Sequence, residues 1–274
     1  MRAHFVDLGG IRTRYYTAGQ GPALLLVHGV GASADTFVRN IDPLGERFAV
    51  YALDLIGHGF ADARDMAGEV PQAAQLDHVF RFVDALKLDR YAFAGSSFGG
   101  MIGALAYFAR PRAMTHLVLI GAPVFDSPAE LERAAHDAQA NQKSALAHPT
   151  LAAIRQRNIG SNFVKTDTFE EILLNQLTAF ALPGRQQAFL QTTDGIVASA
   201  HDRRYHLHDR LEQLAVPTLV VIGRHDPRAK WQRALEGATR MPNCRVDIFE
   251  ECGHKPFSEH ATKFNRAMIE FLAR

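Results

Sequence analysis

The chain has 274 residues, of which 47% are hydrophobic and 22% charged, a composition typical of a globular protein with a substantial core. Its net charge of +1 argues against the basic surface that nucleic-acid binding needs. Two cysteines, Cys244 and Cys252, favour neither a zinc site nor a disulfide framework. Neither a signal peptide nor an apolar run of the roughly 18 residues that span a membrane is recognised, so we expect a cytoplasmic protein.

Short apolar runs alternate with helical patterns along the first part of the chain. Residues 3–17 predict two strands joined at Gly9-Gly10 in a hairpin. Continuous apolar runs predict buried strands, and apolar residues at helical spacing predict helices. The strands are expected at 23–27, 48–53, 90–94 and 115–120, and the helices at 72–88 and 101–110. This order favours an α/β fold with a mostly parallel, doubly wound sheet.

The pattern changes between about residue 125 and residue 214, where helical segments replace the strands. These segments are expected near 128–147, 168–180 and 184–193, before strands resume at 217–222 and 245–249 and a helix closes the chain at 258–273. We predict that residues 1–124 and 215–274 form the α/β core and that residues 125–214 form a helical lid inserted into it. A purely structural insertion is the alternative, although long insertions usually carry function.

The motif Gly95-Ser96-Ser97-Phe98-Gly99 follows an apolar strand and opens an apolar helix. A sharp turn between strand and helix lifts the serine hydroxyl out of the sheet, and small residues on either side let the two backbones approach. The start of the helix also presents backbone N–H groups to a developing oxyanion. We therefore predict that Ser97 is a nucleophile; a simple helix cap is the alternative.

A serine nucleophile needs a general base and an acid that orients the base. Asp226, in GRHDP, and His254, in ECGHKPF, each follow a predicted strand and have the chain order expected after such an elbow. Both would lie at the carboxyl ends of strands, where ligands bind in open α/β sheets. Asp126 is the rival acid, and Asp54 is interpreted as structural.

His28-Gly29-Val30-Gly31 follows the third strand and is similar to an oxyanion loop of the H-G-G-G type. The predicted donors to the oxyanion are the backbone N–H groups of Val30 and Phe98, with a plain tight turn as the alternative. His28 itself is interpreted as a structural hydrogen-bonding residue.

The chain as a whole resembles the α/β-hydrolase superfamily. The resemblance is carried by HGVGAS (28–33), DLIGHG (54–59), GSSFGG (95–100), GRHDP (223–227) and ECGH (251–254), in an order that covers nearly the full length. It implies an α/β-hydrolase fold with an inserted helical lid and a catalytic triad of Ser97, Asp226 and His254. No metal and no cofactor are implied.

Within that superfamily the chain looks most like the meta-cleavage product hydrolases, which cut a carbon–carbon bond in vinylogous diketo acids. The likeness rests on VRNIDPL (38–44), GSSFGG, FEEILLNQ (169–176) and the segment from Cys252 to Leu272. The family commonly has Asn where this chain has Ser96, often has Trp where it has Lys255, and carries a lid arginine near the stretch that here is residues 174–178. Lys255 and Arg185 are the cations that could replace that arginine.

Because these anchors differ, the sequence favours a serine hydrolase that cleaves a small, largely apolar carboxylic ester or lactone through an acyl-enzyme. The alternatives are a carbon–carbon bond hydrolase of meta-cleavage products and a non-catalytic ligand receptor on the same fold. The substrate pocket is expected to include Ser96, Leu177, Phe180 and Lys255. We expect the partner to be a small-molecule substrate, and we expect neither nucleic acid nor a membrane as a partner. A homodimer is left open.

Overall fold

The computed structural model describes residues 1–147, 149–164 and 169–273. Eight strands in this part of the chain form one sheet: β1 (Arg2–Asp7), β2 (Arg12–Ala18), β3 (Ala23–Val27), β4 (Ala49–Leu53), β5 (Tyr91–Ser96), β6 (Met114–Ile120), β7 (Thr218–Gly223) and β8 (Cys244–Phe249). Their order across the sheet is β1-β2-β4-β3-β5-β6-β7-β8. The first two strands form the predicted hairpin and pair antiparallel; from β4 onwards, neighbouring strands are parallel.

The helices among the described residues are α1 (Val38–Gly45), α2 (Pro71–Ala85), α3 (Phe98–Ala109), α4 (Pro128–Ala147), α5 (Leu151–Ile159), α6 (Phe169–Phe180), α7 (Arg185–Ala198), α8 (Trp231–Ala238), α9 (Pro256–Glu259) and α10 (Ala261–Leu272). One buried apolar cluster joins α2, α3 and α8 to one face of the sheet, and a second joins α1, α9 and α10 to the other. Burial on both faces is the reason that β3, with the sequence ALLLV, is continuously apolar. The α/β sheet with helices on both faces confirms the predicted fold class.

Helices α4 to α7 lie between β6 and β7, in the segment predicted to be the lid. Their apolar side chains form a separate small cluster of Ile154, Leu173, Phe180 and Phe189, against which Val30 and Leu177 pack. Three of the four helices were expected from the sequence, but α5 was not, because its apolar residues do not form one buried face: Ile154 is buried, whereas Leu151 and Ile159 are exposed. The expected closing helix is divided into α9 and α10 at His260, whose backbone is not helical (φ −130°, ψ 50°). No helix of the described residues is long and apolar enough to cross a membrane.

Candidate active site

The backbone of Ser97 has the strained conformation of a nucleophile elbow. Its φ is 52° and its ψ is −119°, in a region that a residue with a side chain rarely adopts. A Cβ at Gly95 would lie 2.3 Å from the carbonyl oxygen of Gly99, and one at Gly99 would lie 2.3 Å from that of Val27. Glycine is therefore required on both sides of the serine, since a side chain at position 95 would separate β5 from α3 and one at position 99 would separate α3 from the end of β3.

His254 and Asp226 are joined by a hydrogen bond from the imidazole Nδ1 to the carboxylate Oδ2, at 2.8 Å. Both side chains are buried, and the second Asp226 oxygen accepts the backbone N–H groups of Arg228 and Ala229. Burial alone would raise the pKa of Asp226, but the interaction with His254 and these backbone donors lower it below its usual value. The carboxylate thus stays ionised and holds the Nδ1–H tautomer of the imidazole.

The loops that carry these two residues touch along their backbones. A Cβ at Gly223 would lie 2.0 Å from the carbonyl oxygen of Gly253, and the N–H of His225 donates to the carbonyl of Cys252 at 2.9 Å. From the lid, the carbonyl of Ser161 accepts the backbone N–H of His254 at 2.7 Å. The position of the histidine therefore depends on both the core and the lid.

Gly121, which follows β6, lies against the Asp226–His254 pair. Its φ is +52°, and a Cβ there would lie 3.0 Å from Asp226 Oδ2 and 3.0 Å from His254 Nδ1. The other imidazole nitrogen, Nε2, is buried and has no hydrogen-bond partner among the described residues, so it does not bond to Ser97 in this structure. Catalytic hydrogen bonds are commonly long before substrate binds and tighten in the complex.

The rival acid Asp126 pairs with Arg233 at 3.0 Å rather than with His254. Asp54 is also occupied elsewhere, because its carboxylate accepts hydrogen bonds from Arg14 and from the backbone N–H groups of Ala34 and Phe60. Its geometry agrees with the structural interpretation from the sequence.

The loop from His28 to Gly31 lies next to the nucleophile. A Cβ at Gly29 would be 3.0 Å from Ser97 Cβ and 3.6 Å from its hydroxyl oxygen. His28 Nε2 accepts the N–H of Leu55 at 3.1 Å, so Nδ1 carries the proton and donates to the Gly29 carbonyl at 2.8 Å. His28 therefore orients the loop, while the N–H of Phe98, in the first turn of α3, has no acceptor within the helix. Both predicted oxyanion donors, Val30 and Phe98, lie at this place.

A small cavity of about 10 Å³ lies beside the loop, lined by Gly31, Ser33, His58, Gln176, Phe180 and Arg185, with room for about one water. Arg185, from the start of α7, is only 5% exposed. Its Nε and Nη1 atoms are buried and have no acceptor among the described residues. Burial lowers the pKa of Arg185, although the negative charges of Asp54 and Asp62 act to raise it. An unpaired buried guanidinium is costly unless an anion binds to it.

His58 faces the same cavity from the loop after β4. Its Nδ1 donates to the Ile56 carbonyl at 2.8 Å, and burial lowers its pKa to about 3. The imidazole is therefore neutral, and its buried Nε2, which lacks a partner within the described part of the chain, is a free acceptor. The cavity thus combines cationic donors with one neutral acceptor.

The four residues predicted for the substrate pocket have different surroundings. Phe180 lines the cavity, Leu177 packs against the lid cluster, and Ser96 is buried at the carboxyl end of β5. Lys255 is partly buried, and its ammonium donates to Asn158 Oδ1 of α5 at 2.9 Å. The Lys255 contact brings the lid against the residue that follows the candidate base.

Lys255 belongs to what we call the basic cluster, formed by Arg157, Arg228 and Lys255. The guanidinium of Arg157 donates to the carbonyls of Gly31 and Val30 at 3.2 and 3.3 Å, and Arg228 donates to Ser161 Oγ at 2.9 Å. Burial and repulsion from the two arginines lower the pKa of Lys255 to about 7. Among the described residues, none of the three forms an ion pair with a carboxylate. The described residues also hold no group of three His, Cys, Asp or Glu side chains that could bind a metal ion.

The family model of the alpha/beta hydrolase fold matches residues 22–261 of the chain. The chain belongs to this family. The match includes the elbow, both loops of the Asp226–His254 pair and the whole segment between β6 and β7. It confirms the family resemblance seen in the sequence, and the relatives that are named hydrolases confirm that this α/β-hydrolase is an enzyme of that class.

Two relatives at 27% identity are named for carbon–carbon bond hydrolases. One is a 2-hydroxymuconate semialdehyde hydrolase of Pseudomonas putida, aligned over 96% of this chain and 92% of the relative. The other is a 2-hydroxy-6-oxononadienedioate/2-hydroxy-6-oxononatrienedioate hydrolase of Paraburkholderia xenovorans, aligned over 97% and 92%. The solved 2-hydroxy-6-oxo-6-phenylhexa-2,4-dienoate hydrolase of Rhodococcus has the same fold, with a TM-score of 0.82, 19% identity and complete coverage of both chains. These relatives favour the carbon–carbon alternative over the ester preference drawn from the sequence.

Sequence reasoning missed Gly121, His58, Arg157 and Arg228, and named Arg185 without placing it. A glycine directly after a buried strand was the available signal for Gly121. His58 lies within the motif DLIGHG (54–59), but nothing in that motif indicates that its imidazole faces the cavity. Arg157 and Arg228 are singled out only by their convergence beside the oxyanion loop or His254.

Proposed function

We propose that this α/β-hydrolase hydrolyses a carbon–carbon bond in a 2-hydroxy-6-oxo-dienoate, using Ser97, His254 and Asp226 as its catalytic triad. The observation that carries the proposal is Arg185, a buried guanidinium in the cavity beside the oxyanion loop, whose Nε and Nη1 atoms have no acceptor among the described residues. The ester preference depended on the absence of a cation for the substrate carboxylate. Arg185 removes that reason, because it supplies the cation at the start of α7 rather than near residues 174–178.

The polar groups around this cavity match the 2-hydroxy acid end of such a substrate, although a cavity of about 10 Å³ must widen to admit it. Arg185 would donate to the carboxylate, and the unpaired Nε2 of His58 would accept the neighbouring hydroxyl hydrogen. The neutral state of His58 matters, because a protonated imidazole could only donate. An apolar ester offers no group for either residue and would leave both unsatisfied.

The chemical step follows from the geometry of the triad. His254 takes the proton of the Ser97 hydroxyl, which attacks the ketone at the far end of the dienoate, while the N–H groups of Val30 and Phe98 stabilise the oxyanion. The electron pair of the breaking bond needs a conjugated acceptor, which the substrate supplies as its 2-keto tautomer, formed when the 2-hydroxyl proton moves to C5. The pair then passes through the C3–C4 double bond to the C2 oxygen, and the resulting dienolate is protonated to a 2-hydroxydienoate on release. Water then hydrolyses the acyl-enzyme, so the two products together contain the substrate and one water molecule.

The test compares a 2-hydroxy-6-oxo-dienoate with p-nitrophenyl esters on the purified protein, by loss of dienoate absorbance and by release of nitrophenol. We expect the dienoate kcat/KM to exceed that of every ester by at least about tenfold, since one charge-assisted hydrogen bond contributes about 1.5–3 kcal/mol. Arg185→Met should lower the ratio of dienoate to ester kcat/KM by about 10- to 100-fold. The exposed lid arginine Arg203 provides the control, Arg203→Met, which should leave the ratio unchanged. Faster ester cleavage, with a ratio that does not respond to Arg185→Met, would support the ester hydrolase instead.

A further inference from the structure

The basic cluster lies on the side of the nucleophile where His254 and the lid meet. Lys255 directly follows His254 and is bound to Asn158, and Asn158 is the neighbour of Arg157 in α5. The guanidinium of Arg157 in turn contacts the oxyanion loop, since a Cβ at Gly31 would lie 2.1 Å from its Nη2. Arg228 is held through Ser161, whose carbonyl accepts the N–H of His254. The three cations therefore lie near one another, between the oxyanion loop and the loop that carries His254.

The cluster is not neutralised within the part of the chain that the structure describes. The negative charge of Glu259 raises the pKa of Lys255. However, the two carboxylate oxygens of Glu259 already accept hydrogen bonds from four backbone N–H groups, those of Phe163, Val164, Gly253 and Lys255. The negative charge of Asp226 likewise raises the pKa of Arg228, but the Asp226 oxygens already accept hydrogen bonds from His254 and two backbone N–H groups. The positive charges thus face one another without a carboxylate bonded to any of their side chains.

The side-chain donors of the cluster also remain partly unused. Lys255 has three N–H groups and one acceptor, Asn158. Arg157 bonds only to carbonyl oxygens, its Nε is buried without a partner among the described residues, and its guanidinium lies beside the rings of Phe180 and Phe189. An arrangement of repelling cations with spare donors is stable when an anion binds between them.

We propose that Arg157, Arg228 and Lys255 form a second anion-binding subsite, which takes a carboxylate at the end of the substrate opposite to that held by Arg185. The natural substrate is then a dicarboxylate, in which the acyl group transferred to Ser97 carries its own carboxylate. The inference rests on the proposed function for the identity of the scissile bond, although the subsite itself depends only on Ser97 and the cluster. Burial and, after it, repulsion from Arg228 and Arg157 lower the pKa of Lys255, and a bound anion would offset that repulsion.

The first experiment measures kcat/KM for 2-hydroxy-6-oxononadienedioate, the kind of substrate for which one relative is named, and for an analogue in which methyl replaces the far carboxylate. We expect the dicarboxylate to be favoured at least about tenfold in the wild-type protein, from charge-assisted hydrogen bonds at the cluster. Lys255→Gln and Arg157→Gln should each lower that ratio by about tenfold or more. Lys230, an exposed residue of the same Arg228 loop, provides the control Lys230→Gln, for which the ratio should stay as in the wild type. A wild-type ratio near one, or a ratio unaffected by both cluster variants, would overturn the proposal.

The second experiment separates this subsite from the carbon–carbon activity. Succinate is the acyl product of the dicarboxylate, and butyrate is its counterpart without the far carboxylate. Calorimetric titration of Ser97→Ala with each should give at least tenfold tighter binding of succinate, and Lys255→Gln in the same background should abolish the difference. If neither dienoate is cleaved while succinate keeps this advantage, the proposed function fails and the subsite stands. Equal binding of the two acids would refute the subsite whatever the reaction is.

Discussion

Replacing Gly121 by alanine should damage catalysis although every residue of the proposed triad is left unchanged in sequence. The new Cβ would lie 3.0 Å from Asp226 Oδ2 and 3.0 Å from His254 Nδ1, closer than a carbon normally approaches these atoms. The buried carboxylate is fixed by two backbone N–H groups, so we expect the imidazole to move by a few tenths of an ångström. The side chain would therefore act on the hydrogen bond that orients the base.

The substitution has two separable effects. Because φ at Gly121 is +52°, a side chain there costs about 1–2 kcal/mol of backbone strain, which in a chain of this size lowers Tm by roughly 2–8 °C. Displacement of a catalytic group by 1 Å can cost about 100-fold in rate, and loss of the aspartate function costs about 10⁴-fold. A partial displacement should therefore lower kcat by about 10- to 100-fold.

Gly68 provides a matched control for the strain. Its φ is +72°, and no described atom lies within 4 Å of the Cβ that a side chain would add. Gly68→Ala should thus lose a comparable amount of stability and keep its kcat. The assay is steady-state turnover of whichever substrate the protein prefers, with Tm measured by calorimetry on both variants. If Gly121→Ala loses stability but keeps kcat within threefold of Gly68→Ala, the steric argument is refuted.

Three further predictions follow from the same site. Ser97→Ala should lower kcat by about 10³- to 10⁶-fold in a folded protein, and a variant retaining a tenth of wild-type turnover would exclude Ser97 as the nucleophile. Asp226→Asn should lower kcat by about 10³- to 10⁴-fold, whereas Asp126→Asn should cost far less, because Asp126 pairs with Arg233; the reverse order would move the acid to Asp126. Burial lowers the pKa of His28 to about 4 and that of His58 to about 3. Below pH 6.5 the unfolded chain therefore binds more protons than the folded one. As the pH falls, the free energy of unfolding should decrease by about 1.4 kcal/mol per pH unit for each histidine. A Tm that stays constant from pH 7 to pH 4.5 would contradict that assignment.

The sequence alone was sufficient for features that depend on neighbouring residues. The order of strands and helices follows from apolar periodicity, because a strand buried on both faces must be apolar throughout, as β3 is. The elbow at Ser97 follows from two glycines whose spacing permits a contact between strand and helix. The choice of Asp226 and His254 followed from the positions of two loops after two strands, and the structure brings these two side chains together.

Contacts between distant parts of the chain were decided only by the tertiary structure. Arg185 could be named from the sequence but not placed, because its position depends on how the lid helices pack over the oxyanion loop. Arg157 and Lys255 are almost a hundred residues apart, and nothing local in either segment predicts that α5 meets the residue after His254. The charge balance of a buried site depends on every group that surrounds it, so the proposed preference for an anionic substrate can be inferred only when the lid is folded onto the core.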